Sequence, residues 1–181
     1  MKLPFKIFFI LFFSLLLIYV LIPAPEFPNP PSDSIQSNEP ADSETPLRRA
    51  YFTNLTREEV MKHYKDQFSK PTLFGIPLPT YSFNYPPEES QTIIRDQTRS
   101  TFLEEIVHPF RESIYVNGFE PKTQKDAIFI EGRSWRQKLI IKYVGSMALV
   151  RAIIVFLTAA FTYLTILELK KFTKEFNFKR K

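Results

Sequence analysis

The chain closes on a mostly apolar stretch, residues 144–168, that runs into a tail holding Lys170, Lys171, Lys174, Lys179, Arg180 and Lys181. A run of that length crosses a bilayer, and the basic tail, residues 169–181, marks the cytoplasmic end. A second apolar run, residues 5–22, follows a start of four residues that carries Lys2. At 1.5 Å rise per residue it reaches about 27 Å, enough to cross hydrocarbon. A cleavable signal has a core of about 7–15 residues and small residues at its exit. Here the exit carries the bulky Ile22 before Pro23, Ala24 and Pro25, so the run reads as a retained anchor, with a cleaved signal as the alternative.

Charge follows the same plan. The formal net charge is +5, yet residues 24–142 hold 15 Lys/Arg against 17 Asp/Glu. The basic balance therefore flanks the apolar runs, and the central part lacks the clustered basic face of a nucleic-acid binder. Both termini are expected in the cytoplasm and the central part outside, as in a bacterial envelope protein. Arg151 lies near the outer end of the second run, where its guanidinium can snorkel to the surface.

Zero cysteines exclude disulfides and thiolate chemistry, and two histidines, His63 and His108, leave little for a metal site. Four glycines leave no Gly-rich phosphate loop. No cofactor is expected.

Within the second run Gly145, Ala148, Ala152, Val155, Ala159, Thr162 and Ile166 recur at alternating intervals of three and four. Small side chains in such a seam let membrane helices approach, which points to a helix partner in cis or in another chain. Beyond it, Leu169, Phe172 and Phe176 continue at helical spacing between lysines, and read as a juxtamembrane helix on anionic headgroups or as a plain topogenic tail.

Residues 23–47 hold seven prolines and five acidic residues, and no basic one. Without apolar periodicity they read as a disordered tether. Residues 48–143 are long enough for one small core, expected as α+β: two or three helices on an antiparallel sheet. A strand is expected over Arg48–Thr53. Thr56 and Glu59 form a capping box opening a helix with Val60, Tyr64 and Phe68 buried, and Pro71 follows its end. Residues 71–79 read as loop and 80–85 as a strand. Pro86, Pro87, Glu88 and Glu89 open a second helix. Leu103, Ile106, Val107 and Phe110 keep helical spacing on another azimuth, so the segment reads either as one helix with a break near residues 98–101 or as two short helices. Asn117-Gly118 reads as a hairpin turn after a strand over 113–116. Residues 127–131 and 135–143 form a further hairpin about Gly132-Arg133, with Trp135, Gln137, Leu139, Ile141 and Tyr143 on one face.

The densest polar group is Glu104, Glu105, His108 and Glu112. His and carboxylates are the usual acid–base and metal players, so Glu104, Glu105 and His108 are the weak catalytic candidates. Their spacing also fits a solvated helix face. Asn54-Leu55-Thr56 matches a glycosylation acceptor, but capping explains Thr56 equally. The reading is a non-enzymatic, membrane-anchored interaction protein, a scaffold or subunit of an envelope complex whose partners are the bilayer and a protein reached through the second run. A membrane-tethered enzyme acting on envelope material and a sensor relaying through the second run are the alternatives.

Overall fold

A computed structural model describes residues 3–86 and 100–179, and the second-helix expectation at Pro86–Glu89 falls almost wholly outside them. The chain divides into two compact units: residues 24–145, and the terminal segments 1–23 with 146–181.

The terminal unit consists of two helices in contact, α1 (Leu3–Leu21) and α3 (Ala148–Lys179). Both are long and apolar enough to cross a membrane. Phe9 of α1 meets Tyr163 of α3 with ring centroids 6.1 Å apart. The second span thus begins at Ala148, and residue 144 belongs to the preceding strand. The basic tail is no separate element either: α3 runs 32 residues without interruption, about 48 Å, and carries Lys170, Lys171, Lys174, Phe172 and Phe176 on its last turns.

The central unit is built on a six-stranded antiparallel sheet of order β1-β2-β10-β7-β6-β5. Its strands are β1 (Ser34–Gln36), β2 (Arg48–Thr53), β5 (Tyr81–Tyr85), β6 (Phe102–Val107), β7 (Ser113–Phe119) and β10 (Gln137–Val144). Helix α2 (Arg57–Phe68) lies on one face, after the capping box forms: Glu59 N–H donates to Thr56 Oγ1 at 3.3 Å, and Thr56 N–H to Glu59 Oε2 at 2.7 Å. Val60, Tyr64 and Phe68 of α2 pack into a core with Tyr51, Ile106, Ile114, Val116, Leu139 and Ile141 of the sheet. These sheet residues share a face because directly opposed positions pair, Ile106 with Ile114 and Ile141 with Val116. Among the described residues, two small hairpins are added to the sheet and α2: β3 (Thr72–Leu73) with β4 (Ile76–Pro77), and β8 (Ile128–Ile130) with β9 (Arg133–Trp135).

Five expectations are corrected. Residues 103–107 form strand β6, not helix. Leu103, Ile106 and Val107 satisfy both periods over so short a run, and pairing on both sides decides for strand. Asn117-Gly118 lies inside β7, not at a turn. Glycine is there because a Cβ would stand 1.9 Å from Cε1 of the Phe102 ring on the neighbouring strand. The 71–79 loop carries the β3–β4 hairpin, turned at Phe74 and Gly75, both with positive φ. Residues 135–143 are also not one strand, since β9 ends at Trp135 and β10 starts at Gln137, although the inward alternation through Tyr143 is kept.

The fifth correction is the segment 23–47. It is a packed strap, not a free tether. Ile35 pairs with Phe52 in the β1–β2 ladder. Asn29 N–H donates to Gln67 Oε1 at 2.9 Å, and Phe27 packs on the core under the Arg49 guanidinium. Buried Asp42 accepts from Ser37 Oγ at 2.5 Å and pairs with Lys138 Nζ at 2.7 Å, which also meets Glu39 at 2.7 Å. Two of the five acidic residues that suggested a solvated tether, Glu39 and Asp42, are partners of a lysine on β10. The prolines lower the entropy lost in ordering the strap.

Candidate functional site

Strand geometry separates the three catalytic candidates. On β6 Glu104 stands opposite Val116 and Glu105 opposite Tyr115, so the two carboxylates leave from opposite faces of the sheet. Glu104 is on the α2 face, where Arg57 Nε and Nη2 donate to its Oε1 at 2.8 and 2.6 Å. Glu105 is on the other face and accepts from Tyr85 Oη at 2.6 Å. Tyr115 also bonds Glu105, and burial first, then that carboxylate, raises the Tyr115 phenol well above its ordinary range.

His108 opens the β6–β7 loop and belongs to neither pair. Its ring is fully buried and stacks on Phe68 of α2 at 4.2 Å, with planes 11° apart. Nδ1 lies 2.9 Å from Glu112 Oε1; the carboxylate accepts, so Nδ1 donates. Arg111 Nη2 meets the same oxygen at 2.7 Å, and its Nε donates to Oε2 at 3.3 Å. Two backbone bonds close the loop, His108 N–H to Glu112 O at 2.9 Å and Arg111 N–H to His108 O at 3.0 Å. Burial pushes the Glu112 carboxyl up, but the His108 hydrogen bond and the Arg111 charge outweigh it and hold the group below its ordinary value.

The His108–Glu112–Arg111 cluster is sealed from solvent. The His108 and Glu112 side chains are 0% exposed, and His108 Nε2 faces no hydrogen-bond partner. Acid–base work needs the base within reach of a substrate proton. The cluster instead pins the β6–β7 loop under the last turn of α2. Sequence reasoning grouped His108 with Glu104 and Glu105; its partners are Glu112, which stood in that group, and Arg111, which did not. The signal that could have found this is local: a carboxylate and a guanidinium within four residues of a histidine, around the turn residue Pro109.

Among the described residues no three His, Asp or Glu side chains converge as a metal site. The described residues of the central unit include two surface clefts of similar size. One, about 410 Å³, lies between the strap and the end of α2, with Phe27, Asn29, Phe68 and Pro71 in its walls. The other, about 430 Å³, lies along α2 and mixes Arg57, Lys62 and Lys65 with Glu58, Asp66 and Glu104, so it favours neither sign of charge.

In the terminal unit, Gly145 of the seam stands before α3 begins. Ala152, Val155, Ala159 and Ile166 are among the less exposed residues of α3, while Ala148 and Thr162 are exposed. On α1 the less exposed set is Phe9, Phe13, Leu16, Leu17, Tyr19 and Val20. Arg151 is buried and its Nη1 lies 3.5 Å from Ser146 Oγ. Of the tail cations, Lys170, Lys171 and Lys174 are exposed, with Lys171 on Glu168 at 2.7 Å; the side chain of Lys179 and all of Arg180 and Lys181 lie outside the described residues. Comparison with protein-family models, with curated proteins and with solved structures found no match.

Proposed function

We propose that this chain is a two-span membrane protein that presents its α+β unit outside the cytoplasmic membrane as an interaction module of an envelope complex. The observation that carries the reading is the pairing of two apolar, largely exposed helices at the chain ends with one folded unit between them. Leu149, Ile153, Phe156, Phe161 and Leu164 of α3 stand open, and so do Phe5, Phe8, Ile10 and Phe12 of α1. So much open apolar surface calls for lipid. The tail lysines favour the cytoplasm for the end of α3, and two spans then return the start of α1 to the same side. The candidate carboxylates are engaged on opposite faces and His108 is sealed, which supports binding over catalysis. The test is crosslinking of the full chain in native membrane, with photoreactive groups on the central unit, beside the triple variant Glu104→Gln, Glu105→Gln, His108→Gln. A reproducible protein neighbour, retained wherever the variant folds, supports an interaction module. Loss of a cellular function with folding and neighbour intact would contradict it in favour of an enzyme.

A further inference from the structure

Two of the three non-glycine residues with left-handed backbone among the described residues are Phe74 (φ 52°) and Phe110 (φ 60°), and each is 82% exposed. Glycine takes this backbone conformation without the steric cost a phenylalanine bears. A ring so open gains little from packing within its own fold. Ile76, 69% exposed, follows Phe74 in the same hairpin.

The register places both apices at one end of the sheet. Tyr81 pairs with Val107, Val107 with Ser113, and Ser113 with Val144, one row across four strands. The 108–112 loop with Phe110 leaves from this row. The β3–β4 hairpin precedes Tyr81, and its base is closed by Leu78 N–H on Pro71 O at 3.1 Å, just after Phe68 stacks on His108. The chain passes from Val144 to α3 at the same row, through residues 145–147 only. The strap from α1 arrives here too, since Asn29 is bonded to His63 and Gln67 in the last turns of α2. Both connections to the apolar helices therefore meet the central unit at the end where Phe74, Ile76 and Phe110 project. Three residues reach about 10 Å at most.

The same end is prepared for an apolar medium. The hairpin Thr72-Leu73-Phe74-Gly75-Ile76-Pro77 carries no charge. In the 108–112 loop Arg111 and Glu112 are already paired and sealed inside. Neither apex has a charge to desolvate.

We propose that Phe74, Ile76 and Phe110 insert into the headgroup–acyl boundary of the bilayer, so that the central unit is held against lipid at three points besides its two covalent connections. The inference rests on the two-span reading above. Apolar side chains dipping about 5–10 Å are the usual depth of such contacts.

The chain has no cysteine, so single labels are clean. Full-length Phe74→Cys, Phe110→Cys, Phe129→Cys and Leu157→Cys variants, each carrying an environment-sensitive fluorophore, are reconstituted in vesicles of phosphatidylcholine and phosphatidylglycerol. Phe129 lies on the β8–β9 hairpin, which precedes Gln137 at the opposite end of β10, and is equally apolar and 69% exposed. The expected result is blue-shifted emission at positions 74 and 110, quenched by lipids spin-labelled near the headgroup, with position 129 unquenched. Labels at 74 and 110 that match 129, while Leu157→Cys is quenched by deep spin labels, overturn the lipid contact and leave the two-span reading standing. An unquenched Leu157→Cys label overturns both. Labels at 74 and 110 that turn apolar only beside membrane proteins would transfer the surface to a protein partner and overturn the lipid assignment. A Phe74→Gly/Phe110→Gly variant separates this role from a structural one: its fold, read by Trp135 emission, should persist, while a label at Ile76→Cys loses its quenching. Unchanged quenching there would overturn the proposal.

Discussion

Replacing Glu112 with glutamine tests the buried cluster most sharply. The substitution keeps the volume and removes the charge that Arg111 and His108 face at 2.7 and 2.9 Å in a site with 0% exposed side chains. Removing one partner from a buried ion pair costs about 3–5 kcal/mol, because the remaining charge stays desolvated and unpaired. For a unit of this size, about 1 kcal/mol moves the thermal midpoint by roughly 4 °C, so a loss of roughly 12–20 °C is expected. Trp135 is the chain's sole tryptophan and is buried in the central unit, so its emission during unfolding of the full chain in detergent reports on that unit. Glu104→Gln is the comparison: its Arg57 partner is 42% exposed, and the loss should stay at about 1 kcal/mol or below. The two variants must therefore separate clearly. Acid unfolding adds the sign. Glu112 is held below its ordinary value of 4.5, so its contribution is complete above that pH and is lost as pH falls through the lower folded value. Glu112→Gln should flatten that acid loss. A Glu112→Gln protein that melts within about 1 kcal/mol of the parent would refute the sealed cluster.

Gly118→Ala should destabilise the central unit by about 1–3 kcal/mol, because the new Cβ falls 1.9 Å from the Phe102 ring. Adding Phe102→Leu should recover part of that loss in a double-mutant cycle read by urea unfolding; strict additivity would deny the contact. Asp42→Asn should cost about 2 kcal/mol by weakening the charged bonds to Ser37 and Lys138. Limited proteolysis should then open the strap within residues 24–47 first, and cleavage elsewhere would count against its docking. Lys138 is half-buried, and that desolvation lowers its pKa, but Asp42 and Glu39 outweigh it and raise the pKa above the ordinary 10.5. The pair's contribution is therefore full below that pH and fades as pH climbs through the raised value, a loss that Lys138→Met should abolish in alkaline unfolding.

What could be read directly had a local cause. Thr56 and Glu59 announce α2 because a capping box is chemistry between neighbours, and Val60, Tyr64 and Phe68 follow at one helical period. The alternation through Leu139, Ile141 and Tyr143 is equally local. The misreadings came where pairing across the sheet decides. Leu103, Ile106 and Val107 fit helix and strand alike until β5 and β7 flank them. Asn117-Gly118 is a turn pair by propensity, yet the Phe102 ring needs the space above Gly118. The strap looked solvated because Asp42 finds its lysine 96 positions later. The candidate residues part for the same reason: period two sends Glu104 and Glu105 to opposite faces and leaves His108 with Glu112 and Arg111.

Side-specific labelling addresses topology most directly. Single cysteines at Phe129 in the central unit and at Lys174 in the tail would be exposed, in intact spheroplasts, to a maleimide that cannot cross membranes. Modification at position 129 with position 174 protected until lysis is the expected result. Position 174 modified in unbroken cells, or position 129 protected, would contradict the two-span, both-ends-inside arrangement.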